Sequence, residues 1–463
     1  QMKNLLLLLT MLFLISCTEN EDLFNKQNRV STSEYFDKRL ISRSTSNISK
    51  NDAENIANIF FSPSITKAQP SNISIKEVIC IKDKEDEPAF YILNYLSNNG
   101  FIIVSATKNY PPILAYSSSD NISLKTNTAA RLMIDEYIGN IESINSGTID
   151  SLRNKYAIEW SIFEEKDPIT KSATQLALSV NYNKDEEKIK WQQQGYECHD
   201  ISAINYFLTP EEAQKFIQDI CSHSDPNVNC MDASILLIKR SNSKYGPLIN
   251  TNWNQSALPF NIDASNGHAG CGPIAAAQIM KFHQWPNTYN WTQIGLNPSS
   301  DNSSAQKMIT DVRNACDAKY NDEGTSTTIS NVSSALDKNF NYSTSIYNYY
   351  GFSERLKTAR EIQANRPVFM RGTNISSNEG HAWVCEGYEE NITLYAAVYI
   401  SNEFGLGEYE YYSGVRKTNS EYFYMNWGWG AGAGNGWFYS DMVSPNSYNF
   451  SKDRKVLTIN PRK

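Results

Sequence analysis

Histidine is scarce in this chain, since only five of its 463 residues carry an imidazole. No cluster of cysteine and histidine has the spacing of zinc ligands, so we expect neither a metal nor any other cofactor. Long basic tracts are also missing and the net charge is −8 at pH 7, which excludes nucleic acid as an expected partner. The remaining composition, with 40% hydrophobic and 20% charged residues, is that of a globular protein.

Long hydrophobic runs are absent beyond the N-terminus, so no transmembrane helix is predicted there. Residues 5–15 form one apolar run, which has the length of the central part of a secretory signal. It ends at residues 14–17, LISC, which resemble the lipobox of bacterial lipoproteins. We therefore expect a signal peptide over 1–17, lipidation of Cys17 and a polar tether over 18–50. The lipid would anchor the protein in the bacterial outer membrane or at the cell surface, and proteolytic maturation could release the mature form from this anchor. The alternative is an ordinary signal peptide with an incidental cysteine.

The length exceeds one ordinary domain, and two or three are expected. Apolar residues at helical spacing after Asp52, the N-cap candidate, predict a helix. Alternating apolar runs on either side of Asn98-Asn99-Gly100 predict a β-hairpin. Two more helices are predicted within 126–166, with a break at Ser146-Gly147.

The pattern weakens between 167 and 240, apart from a capping box of Thr209 and Glu212 that predicts a helix. Glycine, tryptophan and tyrosine become frequent after that stretch, so the main boundary is predicted near 230–247. The chain is therefore divided into an N-terminal unit at 51–166, a linker or extended segment at 167–240, and a C-terminal unit at 241–463.

Eight cysteines are scattered through the chain, at positions 17, 80, 198, 221, 230, 271, 316 and 385. An oxidising compartment would permit disulfides, and Cys221 with Cys230 is the favoured pair. Cys271 stands apart, because it joins a glycine-rich turn to an alanine-rich helix in GHAGCGPIAA. It is either a packed core thiol or a nucleophile whose ionisation the helix N-terminus promotes. With a protonated histidine beside it, we expect its pKa to fall several units below ~8.5.

A cysteine nucleophile needs a base, a group that orients the base, and donors for the oxyanion. The strongest base candidate is His381, because the apolar run after it predicts a buried strand. Gln255 is the candidate oxyanion donor, together with the backbone N–H of Cys271. Asn426 and Trp427, in NWGWG, are the candidates that orient the histidine. Each has a structural alternative: a hydrogen-bonded core histidine, a solvated glutamine and an aromatic core strand.

These motifs together resemble the streptopain-type secreted cysteine peptidases of the papain-like superfamily. The resemblance spans residues 245–463 and includes the motif order Gln255, Cys271, His381 and NWGWG. Residues 87–116 are similar to the inhibitory prodomain of that family.

The resemblance implies a role for each motif residue. Cys271 matches the nucleophile, His381 the general base and Gln255 the oxyanion residue; Gly380 and Ser326 fall where the family contacts substrate, and the orienting role stays divided between Asn426 and Trp427.

The fold implied by the resemblance is α+β and papain-like: a helical subdomain starting at 271, an antiparallel sheet carrying His381, and a cleft between them. A small α+β prodomain at 51–166 precedes it and acts as an intramolecular inhibitor. The implied function is a secreted cysteine endopeptidase, made as a zymogen, that hydrolyses proteins or peptides through a thioester. Another thiol acyl-transfer enzyme or cell-wall amidase, and a non-catalytic surface binding lipoprotein, are the alternatives.

This chain departs from the family in two places. A long stretch at about 117–240 separates the prodomain hairpin from the catalytic unit, and an insertion lengthens the path from His381 to Asn426.

Overall fold

The computed structural model describes residues 46–61, 74–124, 134, 137–142, 156–160, 163–164, 184–222, 230–261, 269–321, 324–349, 351–373, 380–401, 408–440 and 452–463. Cys17, the signal peptide and almost all of the tether lie outside these ranges, as does most of the helix pair predicted within 126–166. None of the described helices is long and apolar enough to cross a membrane.

Seven helices of ten or more residues occur in the described ranges. They are α1 (Lys50–Phe60), α2 (Lys184–Gln193), α3 (Pro210–Cys221), α4 (Cys271–His283), α5 (Ser303–Ala315), α6 (Ile329–Asn339) and α7 (Phe352–Gln363). Shorter helical turns are Ala157–Trp160, Cys230–Ala233 and Trp291–Ile294, with 3₁₀ turns at Leu96–Asn98 and Ile201–Tyr206.

Fourteen strands are described, and all of their pairings are antiparallel. They are β1 (Ile75–Lys82), β2 (Pro88–Tyr95), β3 (Phe101–Ser105), β4 (Ile113–Ser117), β5 (Glu197–Asp200), β6 (Ser234–Tyr245), β7 (Lys319–Asn321), β8 (Gly324–Ser326), β9 (Tyr342–Asn348), β10 (Val368–Thr373), β11 (Gly380–Ser401), β12 (Glu408–Asn426), β13 (Gly436–Tyr439) and β14 (Lys452–Pro461). Twelve of them share one sheet in the order β1-β2-β3-β4-β13-β12-β11-β10-β14-β9, with β6 added to β11 and β5 to β6.

The N-terminal elements form as the local signals predict, with one correction. The β2–β3 hairpin is present, and Gly100 between the strands has a φ of +112°, which favours glycine. Helix α1 begins one turn earlier than expected. Its N-cap is Ser49, whereas Asp52 is the third helical residue and completes a capping box with it.

The sheet of the N-terminal region continues directly into the C-terminal sheet. Strand β4 pairs with β13 through Tyr116↔Trp437 and Ala115↔Phe438. A Cβ on Gly436 would lie 2.7 Å from the carbonyl oxygen of Tyr116, so this close approach of the two strands requires glycine. The N-terminal region therefore packs as an extension of the C-terminal sheet rather than as a separate body.

The helical side of the C-terminal region packs around α4. Residues 272–281 of this helix are all buried, and α5 and α6 pack on it to form one apolar core. Val384 of β11 and Leu457 of β14 belong to the same core, which joins the helices to the sheet. The expected α+β class is confirmed: α4, α5 and α6 cover one face of the antiparallel sheet, whereas α7 packs through Ala359 and Ile362 on the opposite face.

The segment interpreted as a linker is folded. The capping box of Thr209 and Glu212 is confirmed at the start of α3, and Cys221 and Cys230 form the expected disulfide. Strand β6 runs without interruption across residue 241, where the domain boundary was predicted. The predicted boundary thus falls inside a strand of the main sheet, because β6 finds its partner in β11, about 150 residues further along the chain.

Candidate active site

Cys271 is the first residue of α4. Gly270 before it has a φ of +93°, and a Cβ there would lie 2.9 Å from the Thr325 side chain, so only glycine fits this turn. Pro273 lies in the first turn of α4. Backbone N–H groups there have no partner within the helix, so a proline, which lacks an N–H, is tolerated. The sequence therefore starts the helix at the cysteine and leaves its thiol at the N-terminal end.

His381 is the second residue of β11 and is 5% exposed. Its Nε2 lies 3.0 Å from the backbone carbonyl oxygen of Trp427. A carbonyl can only accept, so Nε2 carries the proton and the neutral ring keeps Nδ1 free to act as a base. Trp383 stacks on the imidazole and Trp429 meets it edge-on, with ring centroids 6.3 Å and 5.5 Å away. The ring is thus held on three sides.

The start of β11 links the Cys271 thiol to His381, because the backbone of Ala382, the residue after His381, interacts with the thiol. Backbone hydrogen bonding from Ala382, the residue after His381, lowers the pKa of the Cys271 thiol, but burial raises it more, so the net shift is upward. Burial also lowers the pKa of His381 to about 4, against the smaller opposing effect of its bond to Trp427. Both shifts oppose a thiolate–imidazolium pair in this form of the chain, and the expected depression of the thiol pKa stays a prediction. Burial disfavours both charges.

Gln255 is fixed between the other motifs by its backbone. Its N–H donates to the carbonyl of Gly428 at 2.9 Å, and its own carbonyl accepts from the N–H of Ala269 at 2.9 Å. Its side-chain Oε1 is buried and has no hydrogen-bond partner within the described part of the chain. The structure therefore brings the Gln255 loop to the start of α4. The Oε1 atom of its side chain makes no hydrogen bond that would tie the amide to another described residue.

The orienting group is the backbone of Trp427, and Asn426 has a different task. Both Asn426 amide hydrogens are used, by the Thr251 carbonyl at 2.8 Å and by Glu386 Oε1 at 3.1 Å. Its Oδ1 accepts from Gln278 Nε2 at 3.3 Å and from the Gly428 N–H at 3.3 Å. The orienting role was predicted to fall to Asn426 or Trp427; the partners of Asn426 saturate its side-chain amide, whereas the Trp427 carbonyl bonds His381.

The two expected substrate contacts lie at the edge of the site. Gly380 is exposed at the start of β11, next to His381. Ser326 is exposed at the end of β8, and Thr327 beside it lies 2.6 Å from where a Cβ of Gly272 would be. Both positions are near the catalytic candidates, and their contact with substrate stays a prediction.

A buried polar network beneath the site was not foreseen. Glu386 is fully buried and accepts from the Ile249 N–H and from Asn426. Gln278, on α4, is also fully buried, and its Oε1 accepts from the Thr251 hydroxyl at 2.8 Å. One sequence signal was available for each: a polar side chain directly after a run of apolar residues, IAAA before Gln278 and AWVC before Glu386.

The N-terminal region contacts the glycine-rich loop that follows NWGWG. Asp120 is 8% exposed, and its Oδ1 accepts from the Gly432 N–H at 3.0 Å. Among the described residues, no group of three or more histidine, cysteine or carboxylate side chains is placed to hold a metal ion. The chemistry that the arrangement supports is thus nucleophilic attack by a thiol, with an imidazole base and amide donors beside it.

Two regions of the chain match known families. Residues 45–141 match the family model described as Spi protease inhibitor, and residues 250–438 match that of the Peptidase C10 family.

Individual relatives are distant. Streptopain of Streptococcus pyogenes is 24% identical over 337 residues, covering 64% of this chain and 67% of that protein. The thiol protease/hemagglutinin PrtT of Porphyromonas gingivalis is 22% identical over 460 residues, covering 89% of this chain and 41% of that protein. Among solved structures, a prointerpain A fragment of Prevotella intermedia is 14% identical with a TM-score of 0.45, covering 82% of this chain and 97% of the fragment.

Proposed function

The chain is a streptopain-like cysteine peptidase of the Peptidase C10 family, made as a zymogen with an inhibitory prosegment, and from this premise we propose that Cys271 and His381 form its catalytic dyad. One observation carries the proposal. The thiol lies at the N-terminus of α4 beside the backbone of Ala382, and the neighbouring His381 uses Nε2 to bond Trp427 and keeps Nδ1 as a base. We propose further that the enzyme is an endopeptidase.

The proposed reaction follows from these positions. Nδ1 of His381 takes the thiol proton as Sγ of Cys271 attacks the peptide carbonyl carbon, and the side-chain amide of Gln255 with the Cys271 N–H holds the oxyanion. His381 then returns the proton to the leaving amine as the C–N bond breaks, which leaves a thioester on Cys271. Water hydrolyses the thioester and restores the thiol. Removal of the prosegment admits water and substrate, and ionisation of the dyad becomes less costly.

The intact mass of the purified, unlipidated precursor under reducing conditions tests this proposal. We expect the wild-type chain to shorten from its N-terminus with time, while a Cys271→Ala variant keeps its full mass. Cys80→Ala, which removes a cysteine of the N-terminal region instead, is the matched control and should be processed like the wild type. Equal processing of Cys271→Ala would contradict the dyad. If every chain stays whole, casein cleavage after a trace of trypsin decides the same question.

We also propose export and lipid anchoring through Cys17, on the strength of the apolar run at 5–15 and its LISC end. A Cys17→Ala variant expressed in a bacterial host is expected to leave the membrane fraction, because the diacyl anchor needs that thiol. Membrane association equal to that of the unaltered chain would refute the anchor.

A further inference from the structure

Residues 184–245 lie between the two family matches, yet they fold onto the catalytic sheet. Strand β6 pairs with β11 at twelve successive positions, from Tyr388↔Tyr245 to Tyr399↔Ser234. Strand β5 adds to the other edge of β6. The outer part of the β11–β12 hairpin is the insertion noted in the sequence, so the two departures from the family fold together.

Both faces of the outer part of this added sheet are buried, at residues 234–238 of β6. On one face, Tyr395 and Ala397 of β11 pack with residues of β6 and with Phe216 and Ile220 of α3. On the other face, Ala396 and Val398 pack with Ile235 and Leu237 of β6 and with Trp191 of α2. The eight buried β6 and β11 residues of these two clusters are 0% exposed. Loss of residues 184–245 would therefore strip two apolar faces and open one edge of β11.

Tyr116 of the N-terminal region packs against this added sheet at the end of β6 that lies nearest the rest of the main sheet. Lys244 Nζ donates to the Tyr116 hydroxyl at 2.8 Å, pairs with Glu389 Oε2 at 2.7 Å and lies 4.1 Å from the ring centroid of Trp437. The Tyr116 hydroxyl donates to Glu389, and Asn242 Nδ2 donates to the other oxygen of that carboxylate at 2.7 Å. We call Asn242, Lys244 and Glu389 the Tyr116 cradle.

We propose that residues 184–245 and the outer β11–β12 hairpin form an accessory module that stays in the mature enzyme, and that its Tyr116 cradle is a docking surface for the chain's own prosegment. The prosegment, residues 46–164, is the occupant because its strand β4 is seated there and places a phenol hydroxyl between an ammonium and a carboxylate. The proposal rests on the proposed function. It places the end of the removable segment before Lys184, and not at the domain boundary that was predicted near 230–247.

The mass of the processed enzyme shows whether the accessory module is retained. Precursor is allowed to process itself, or is treated with a trace of trypsin, which has Lys166 and Lys171 as sites between the prosegment and the module. We expect the product to keep residues 184–245 in both native and denaturing mass spectra, or in the native spectrum alone if the chain is also nicked. A native product that begins after Tyr245 overturns the proposal. Absence of self-processing counts against the dyad only, since the trypsin arm still reports on the module.

The cradle is tested with Tyr116→Phe, which removes one hydroxyl and yields the same mature enzyme. We expect processing to be about fivefold faster or more, since two hydrogen bonds to charged groups are lost while Lys244 and Glu389 still pair with each other. Tyr91→Phe is the control, because that hydroxyl donates to the Ile48 carbonyl within the prosegment.

A Lys244→Met background separates docking from simple destabilisation of the prosegment. In the Lys244→Met background, Tyr116→Phe should accelerate processing less than it does in the wild-type chain. The effect of Tyr91→Phe on the processing rate should be the same in both backgrounds. A Tyr116→Phe variant that is processed at the wild-type rate, or whose effect is unaltered by Lys244→Met, overturns the cradle.

Discussion

Replacing His381 by alanine is expected to lower kcat/KM on a protein substrate by about 10³-fold or more, with the fold retained. The imidazole is the only base that the structure places beside the start of α4 within the described residues, and its loss leaves the thiol to ionise unaided in a site that raises its pKa. Self-processing should stop as well, so the variant is matured with trypsin before the assay. The assay compares initial rates at equal concentrations of trypsin-matured enzyme.

His283→Ala is a matched control for that experiment. His283 is the last residue of α4, the helix that Cys271 begins, and burial lowers its pKa to about 4, as it does for His381. It packs against Phe282 and Tyr342 at the far end of the helix. We expect its replacement to cost stability but to leave kcat/KM within about a factor of three, as for a mutation away from the reacting groups. Equal losses in the two variants would remove His381 from the dyad.

Replacing Glu386 by alanine is expected to lower the free energy of unfolding by about 3 kcal/mol or more. The carboxylate accepts from the Ile249 N–H and from Asn426, and both donors would be left buried beside a cavity. Urea unfolding of the Cys271→Ala precursor, with and without Glu386→Ala, measures the loss without self-digestion. A loss below about 1 kcal/mol would show that water or a rearranged side chain replaces the carboxylate.

Glu386→Gln is the graded control, since it keeps the volume and one acceptor and should cost less than alanine. Burial raises the pKa of Glu386 from an ordinary 4.5 to about 8, so the folded chain binds this proton more tightly than the unfolded chain. Its contribution to stability is therefore full below pH 4.5 and is lost as the pH rises towards 8. The glutamine variant should lack that part of the pH dependence.

The local features of the fold could be predicted because their signals are local. The hairpin around Gly100, the capping box at Thr209 and the helix that begins at Cys271 each depend on residues within one turn of the chain. The role of β6 could not be predicted in the same way, because its partner β11 is remote in sequence. Helix α2, with its run of charged and amide residues, also carries little apolar periodicity.

The residues of the site also separate into those that local sequence identifies and those whose contacts depend on remote parts of the chain. Residue types and their order were enough to identify Cys271, His381 and Gln255 as candidates, but not the partner of each polar atom. The sequence left the orienting role open between Asn426 and Trp427, and only the structure shows that Thr251, Glu386 and other neighbours saturate the Asn426 amide. The thiol pKa depends on how much protein surrounds the sulfur, which spacing along the chain does not reveal.

The joint between β4 and β13 also has a consequence for the colloidal behaviour of the mature enzyme. While the prosegment is bound, β13 is an interior strand between β12 and β4. Once the prosegment leaves, β13 becomes the rim of the sheet and presents unpaired backbone groups next to Trp437. Such rims template self-association, and proteins commonly limit the hazard by keeping them short. At four residues, Gly436–Tyr439 is a short rim, too small to recruit a long foreign strand.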